Sequence, residues 1–581
     1  MRYLALATDY DGTLAHNGVV DEATLKTLRD VRQSGRKLIM VTGRELPDLE
    51  SVFPHLDLFD RVVAENGAVL FNPSTREKTV LAERPPDEFI ADLRRRNVSG
   101  ISVGDVIVAT WHPHETAMLE SIRALGLELQ VIFNKDAVMA LPSGVNKMTG
   151  LNHALGELKL SRHNIAGIGD AENDHAFLSC CEFSVAVSNA IPALKERVDF
   201  VTDGDHGVGA SQLIGRLVED DLRSLPLNLE KHGVLFGRAN QRDIYIDTEG
   251  KAVLLCGQSG GGKSTFVAGF VERLIAREYQ VCLVDPEGDY ENMAGFVTLG
   301  DKDHAPSFDE ILQLLDDPAS NLIVNLVGMK MQDRPQSFAG LLTKLQERKM
   351  REGRPHWIVI DEAHHLLPSG WAPASAEVAG QNASLLLITV HPEHVSPAAL
   401  KLVNILAVIG KEPQKFAEEF ARAAGIAPPS IANVNLNPGE ASVWFRDSDE
   451  VIERMQSIPG KAERKRRRRK YAQGELEEER VFYFRGREGK LNLRVNNLNT
   501  FLQLAAGIDD DTWRYHLERG DYSNWLSSSI KDEGLSEVVK RIEENLSLSP
   551  VQSREEIAKA IEERYTAPVR CACEIIRANP K

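Results

Sequence analysis

The run Asp9-Tyr10-Asp11-Gly12-Thr13 follows Leu4, Ala5, Leu6 and Ala7, a short apolar stretch that reads as a buried strand. Two carboxylates at the carboxyl end of such a strand stand where open parallel sheets bind their ligands. Further stretches of the same kind follow. Residues 37–41 form an apolar strand ending in Thr42-Gly43-Arg44, Lys147 opens a helix, and residues 165–168 end in Gly169-Asp170-Ala171-Glu172-Asn173-Asp174. If these strand ends converge, Asp9, Asp11, Asp170 and Asp174 share one crevice. Two carboxylates about 4 Å apart repel by about 4 kcal/mol at an effective dielectric of about 20. Such a cluster calls for a divalent cation, and its oxygen donors suit Mg²⁺.

A second constellation lies downstream. Residues 252–256 are an apolar strand, and Gly257-Gln258-Ser259-Gly260-Gly261-Gly262-Lys263-Ser264-Thr265 leads from it into a helix over 266–275. This is the phosphate-cradling P-loop in its strand, loop and helix setting. Gly257, Gly260 and Gly262 let backbone N–H groups approach phosphate oxygens. Lys263 reaches the β- and γ-phosphates, and Ser264, followed by Thr265, meets Mg²⁺. Another strand, 357–360, ends in Asp361-Glu362. Asp361 is expected to hold the metal through water and Glu362 to polarise the attacking water. ATP and Mg²⁺ are the cofactors this pattern predicts.

The elements that must position these residues alternate. Apolar runs ended by Gly, Asp or Thr and followed by helical stretches repeat from residue 2 to about 220 and from about 250 to 410, the mark of parallel α/β sheets. The expected fold class is α/β: a Rossmann-like domain with an inserted α+β cap, a RecA-like P-loop α/β domain, and a small helical module at the C-terminal end. The boundaries read as 1–84 with 143–225 for the first core, 85–142 for the cap, 226–455 for the P-loop domain, 456–480 for a linker, and 481–581 for the helical module. The stretch from Thr42 to Lys147 exceeds what the core needs, which is why a cap is placed there. Within it a helix is expected around Leu93, a strand over 103–110, a helix over 115–125 and a strand over 127–133. Trp111, His112, His114, Asn134 and Lys135 are the cap residues that could meet a substrate, or equally serve as surface and packing residues. His112-Pro113-His114-Glu115 reads as a solvated loop rather than a metal site.

The first constellation, with Glu65-Asn66-Gly67 inside it, resembles the haloacid dehalogenase superfamily, and its wording looks like the Cof-type sugar-phosphatase branch. The resemblance implies that Asp9 is the nucleophile accepting the phosphoryl group. It makes Asp11 the acid for the leaving alcohol and then the base for water. Thr42 and Lys147 would hold the transferring oxygens. Asp170, Asp9 and the backbone carbonyl of Asp11 would bind Mg²⁺, with Asp174 acting through water or by orienting Lys147.

The second constellation, together with Asp285-Pro286-Glu287-Gly288-Asp289-Tyr290 and Asp361-Glu362-Ala363-His364, resembles the HerA/FtsK-like ATPases, ring-shaped motors on DNA. Glu287 stands where that family often has His, and Thr389-Val390-His391 where a Gln sensor is common. A ring implies a homo-oligomer, a hexamer, with an arginine supplied to the neighbour's γ-phosphate. Arg348, Arg351 and Arg354 are the candidates, against a basic helix face in water. The DEAH wording at 361–364 does not make this a helicase of that name, since those motors need two such domains. In the last module His516 and Asp521, beside Trp525, read as a structural pair.

Composition limits what remains. The 581 residues carry a formal charge of −17, which argues against non-specific nucleic-acid binding by the whole chain. A local exception is the basic tract 461–470, followed at once by Glu475, Glu477, Glu478 and Glu479; it reads as a linker or as a contact for nucleic acid or another anionic partner. The 6 cysteines are too few and too irregular for a disulfide framework. No apolar run is long enough for a membrane span and no signal peptide is legible, so a cytoplasmic protein without membrane partners is expected.

The function expected first is Mg²⁺-dependent phosphomonoester hydrolysis through an aspartyl-phosphate, on a small phosphorylated metabolite such as a sugar phosphate, joined to an ATP-hydrolysing domain. The alternative is a nucleic-acid machine with a DNA-engaging ring and a terminal-phosphate phosphatase. A polynucleotide kinase fits less well, because Glu362 suits hydrolysis rather than transfer to an alcohol.

Overall fold

Ala5, Leu6, Ala7 and Thr8 are inaccessible to solvent on both faces of their strand, and so are Val253, Leu254, Leu255 and Cys256. Near-continuous apolar runs of this kind are what a parallel sheet covered by helices on both sides requires. The computed structural model describes the whole chain except residues 135, 259–260, 292, 371–383, 433, 461–480, 531, 546 and 566–581. It forms two units, Met1–Ile458 and Pro459–Lys581.

In the first unit, Ala5–Thr8 is the centre of an 8-stranded sheet. Its parallel neighbours are Ile165–Gly169 on one side and Lys37–Val41 on the other. Arg61–Ala64 continues the parallel part, and Val69–Asn72 and Glu77–Val80 close that edge antiparallel. The strand ends carrying Asp9, Thr42 and Asp170 therefore emerge side by side. Four antiparallel strands, Ser102–Val103, Val108–Trp111, Ala137–Pro142 and Leu129–Asn134, form a separate sheet. Two helices, Asp87–Arg95 and Glu115–Leu125, share a small apolar core with it.

The P-loop strand Ala252–Gly257 lies in a second, 11-stranded sheet. It is flanked by the parallel strands Leu385–Thr389 and Ile405–Ile409, and Trp357–Ile360 follows beyond the first of these. Apolar cores cover both faces. Beyond Ile405–Ile409 the sheet continues through Glu440–Phe445, Glu450–Gln456 and the hairpin Val234–Ala239 with Arg242–Ile246, all antiparallel. The architecture is the expected α/β class. The antiparallel wing, built by pairing strands far apart in sequence, is the addition.

Arg348 and Arg354 differ from the expectation that an arginine near this point serves a neighbouring subunit. Arg354 is fully buried, and its guanidinium donates to the Leu315 carbonyl (2.9 Å) and to the Lys159 carbonyl (2.9 Å), tying the P-loop domain to the helix that begins at Lys147. Arg348 donates to the carbonyls of Leu312 and Leu315 and pairs with Asp316 and Glu352. Both are consumed inside the chain. Arg351 alone stays exposed.

The same seam stacks His163 on Tyr279 at 3.7 Å. The His163 imidazole also meets Glu182 (2.7 Å) and the Arg277 carbonyl (2.7 Å). Burial alone would push the Glu182 carboxyl up, but His163, Arg2 and His232 outweigh it and hold it at about 2. Replacing Arg354 by Ala empties a buried site and removes the bond to the Lys159 carbonyl, while the Leu315 carbonyl keeps Arg348 and Gln280. The expected cost is about 2–4 kcal/mol, read as a lower Tm and denaturant midpoint in the full chain. An unchanged midpoint would show that the seam contributes nothing to stability.

Among its described residues, the second unit packs the hairpin Phe482–Phe484 with Leu493–Val495 against five helices over an aromatic core that includes Phe501, Trp513, Tyr522 and Trp525. His516 Nδ1 meets Asp521 at 2.7 Å, while Nε2 accepts from the Arg485 N–H at 3.0 Å. Both ring nitrogens are engaged, as a structural pair requires. Cys571, Cys573 and the basic tract 461–470 lie outside the described residues, while Cys180, Cys181, Cys256 and Cys282 are buried free thiols.

Candidate active sites

Lys147 reaches the carboxylates because its helix is fixed at the first turn. Asn146 caps Lys147–Leu158, accepting from the N–H groups of Met148 and Thr149, while Thr149 returns a bond to the Asn146 N–H. That end of the helix rests on the turn Glu65–Gly67. Gly67 has φ 106°, and a Cβ there would sit 1.9 Å from the Asn146 carbonyl oxygen, so only glycine lets the helix approach this closely. Lys147 Nζ then donates to Asp9 Oδ1 at 2.5 Å and to Asp174 Oδ1 at 2.5 Å. The other Asp174 oxygen accepts from the N–H groups of Asp170 and Ala171. Thr13 donates to Asp170 Oδ1 at 3.1 Å.

Asp9, Asp170 and Asp174 are buried and present ligand oxygens within 4.8 Å of one another. Burial pushes the Asp9 carboxyl well above the usual carboxylate range, and Asp174 pushes it further. Burial opposes the charge on Lys147, but Asp174 and Asp9 overcome that and raise its pKa. One ammonium facing three buried carboxylates leaves negative charge uncompensated. A hard divalent cation with oxygen ligands matches that deficit.

Asp11 departs from the expected cluster. Its carboxylate turns to Arg44, which grips it with Nε at 2.6 Å and Nη2 at 2.7 Å, and Arg44 also pairs with Asp48. Asp11 thus lines the crevice without joining Asp9, Asp170 and Asp174. Thr42 is buried beside them, and its Oγ1 accepts from the Arg44 N–H. Asp9, Asp11, Thr42 and Arg44 form the floor of a cavity of about 590 Å³ whose roof includes Ser102, Thr110, Trp111 and Asn134. Of the cap residues singled out from the sequence, Trp111 and Asn134 line it. His114 instead bonds Ser99 and His112 pairs with Glu115; Lys135 lies outside the described residues.

Two contributors went unassigned in the sequence reading. Arg44 was visible in Thr42-Gly43-Arg44, but its grip on Asp11 was not. Glu65 is fully buried and accepts three bonds from the N–H groups of Asp105, Val106 and Ile107, pinning the cap to the core. The Glu65-Asn66-Gly67 wording was its only signal.

At the P-loop, Gly257 has φ 144°, and a Cβ there would lie 2.0 Å from the Ile409 carbonyl oxygen. Lys263 Nζ folds back onto the carbonyls of Gly257 (2.9 Å) and Gln258 (3.1 Å), and burial lowers its pKa. Gly262 caps the helix Lys263–Ala276, whose first turn carries an exposed Ser264 and a half-buried Thr265. Gly260 lies outside the described residues. Asp361 is buried, and burial with Glu362 drives its carboxyl well above the usual range. Glu362 sits in the left-handed region at φ 41°. Asp285 accepts from the N–H groups of Glu287, Gly288 and Tyr290, holding the acidic loop of the neighbouring strand.

A haloacid dehalogenase-like hydrolase model matches residues 6–113 and 117–214, and an AAA domain model matches residues 246–402. A phosphoglycolate phosphatase of Methanothermobacter thermautotrophicus is 30% identical over 223 residues, spanning 37% of this chain and 98% of that protein. Over that span the chain belongs to the haloacid dehalogenase-like hydrolases. A second relative, phosphoglycolate phosphatase 2 of Saccharolobus solfataricus, is 29% identical over 223 residues, which are 37% of this chain and 92% of the relative. A solved haloacid dehalogenase-like hydrolase of Bacteroides thetaiotaomicron is similar at TM-score 0.33 and 17% identity, covering 37% of this chain and 99% of its own. Residues 246–402 form an AAA-type P-loop domain. No helix among the described residues is long and apolar enough to cross a membrane.

Proposed function

We propose that the hydrolase domain cleaves a small phosphate monoester through an aspartyl-phosphate on Asp9, and that the attached P-loop domain hydrolyses ATP. The observation that carries this reading is the buried set Asp9, Asp170 and Asp174 around Lys147, with Asp9 of that set lining a cavity shared with cap residues. Asp9, Asp170 and Asp174 are the residues that would hold Mg²⁺, with the Asp11 carbonyl beside them. Bound there, the ion would offset their charge, keep Asp9 ionised and polarise the phosphoryl oxygens.

Asp9 attacks phosphorus while Lys147 and Thr42 hold equatorial oxygens. Asp11 gives a proton to the leaving alcohol and takes one from the attacking water. An anionic substrate that engages Arg44 frees Asp11 for this work. A cavity of about 590 Å³ suits a small metabolite, and closure of the cap over it would keep bulk water from the acyl phosphate. Phosphoglycolate, from the names of the relatives, and sugar phosphates, from the resemblance of the sequence motifs, are the substrates to try first. In the P-loop domain, Lys263 with the backbone N–H groups of the loop binds phosphates, Ser264 and Asp361 hold the metal, and Glu362 orients water. A cytoplasmic setting goes with both activities.

A second reading has one observation in its favour, the basic tract 461–470. There the P-loop domain acts as a HerA/FtsK-like hexameric ring on nucleic acid, with the phosphatase trimming terminal phosphates. Arg351 is the exposed arginine such a ring could use in trans.

Phosphate release by the Lys263→Ala variant, which silences ATP turnover, separates the two readings. The panel is phosphoglycolate, sugar phosphates and end-phosphorylated oligonucleotides. Turnover of the small esters at least about tenfold above the oligonucleotides is expected, and the reverse preference would replace the first reading with the second.

A further inference from the structure

The sequence His391-Pro392-Glu393-His394 follows the strand Leu385–Thr389, which lies between the P-loop strand and the strand ending in Asp361. Pro392–His394 is a 3₁₀ turn with His391 as its N-terminal flank. In that geometry residues three apart stand over one another, so His391 and His394 come to the same face. Glu393 lies between them. Its Oε1 is 3.2 Å from His391 Nδ1 and 3.9 Å from His394 Nε2, and the three ligand atoms lie within 4.8 Å of one another. Ligands 2.0–2.1 Å from a tetrahedral ion are separated by about 3.3–3.4 Å, so these distances approach the edges of such a polyhedron.

The turn is held before any ion arrives. Pro392 and Val395 are buried, Val395 bridges to Pro368, and the His391 N–H donates to Thr389 Oγ1 at 3.0 Å. Among the described residues the ion-pair partners of Glu393 are these two imidazoles, with no lysine or arginine. More imidazole stands alongside: the His364 ring is 5.6 Å from His391 and 4.1 Å from His365. His364 Nδ1 meets the same Thr389 hydroxyl at 3.0 Å.

The geometry points to a transition-metal site of the zinc class at His391, Glu393 and His394, on the rim of the ATPase site and made of residues other than those that would hold Mg²⁺ in either domain. Two imidazoles and one carboxylate with the remaining position open to solvent form a donor set that zinc takes in proteins, and one that Mg²⁺, preferring oxygen, does not. All three side chains are exposed, so an ion reaches them without opening the fold.

Co²⁺ titrated alone into the full chain tests this by its visible absorption, which is intense for a four-coordinate nitrogen-containing site and weak for an all-oxygen octahedral one. The expected result is an intense band that saturates with one ion and is displaced by Zn²⁺. It should remain in Asp170→Asn and in Lys263→Ala, and Zn²⁺ affinity should fall at least about tenfold in His391→Ala, His394→Ala and Glu393→Gln alike. Exposed side chains make these variants safe to fold, and circular dichroism checks it. Absence of the band, or a band and affinity unchanged in the His391→Ala/His394→Ala double variant, would overturn the assignment.

Discussion

Asp9→Asn is expected to lower phosphate release from the preferred ester by about 10⁴-fold or more, the scale on which loss of a catalytic nucleophile acts. The substitution keeps the side chain's size in a site where Asp9 is almost wholly buried, so packing gives it no route to act. It also removes one of three mutually repelling carboxylates, leaving Lys147 its bond to Asp174. Folding should therefore be at least as favourable as in the parent. The decisive measurement pairs steady-state phosphate release with thermal denaturation of the same sample. Activity within about tenfold of the parent in a folded variant would remove Asp9 from the nucleophile's role.

The carboxylate site was legible because its residues stand at strand ends, where one register in a parallel sheet brings them together. Asp9, Thr42 and Asp170 needed only the alternation of apolar strand and helix to be placed near one another. The fork between Arg44 and Asp11 was not legible, because a loop arginine's direction depends on which carboxylate the folded backbone sets before it. The arginines near residue 350 failed for a related reason. A basic helix end looks free in sequence, yet Arg348 and Arg354 are buried against carbonyls contributed by segments far along the chain. The seam of His163, Glu182, Tyr279 and Arg277 carries no motif at all, since stacking and ion pairing between domains leave no periodic trace. In the antiparallel wing the β-like runs at 234–236 and 244–246 can be read in the sequence, but their pairing was equally hidden. Val234–Ala239 pairs with Glu450–Gln456, an association that no local pattern announces.

Glu362→Gln is expected to cut ATP turnover by about 10²–10⁴-fold while ATP still binds, the range for loss of a positioned general base. The backbone at Glu362, φ 41°, is one that non-glycine residues hold at a cost of about 1–3 kcal/mol, and such strain gathers where a side chain must point in one direction. Its Oε2 is buried without a hydrogen bond, 3.4 Å from His364 Nδ1, which is itself engaged with Thr389. Burial, with Glu287 adding to it, raises the Glu362 carboxyl above its usual range and toward the basicity a water-activating group needs. An unpartnered oxygen in a strained, partly desolvated position is poor economy for a structural residue and suits one whose partner arrives with substrate. Equilibrium binding of a fluorescent ATP analogue, measured beside phosphate release from ATP, separates the two roles. Lost binding would recast Glu362 as a structural support of the loop, and turnover within about threefold of the parent would assign the water to another carboxylate, with Glu287 the nearest candidate on charge grounds.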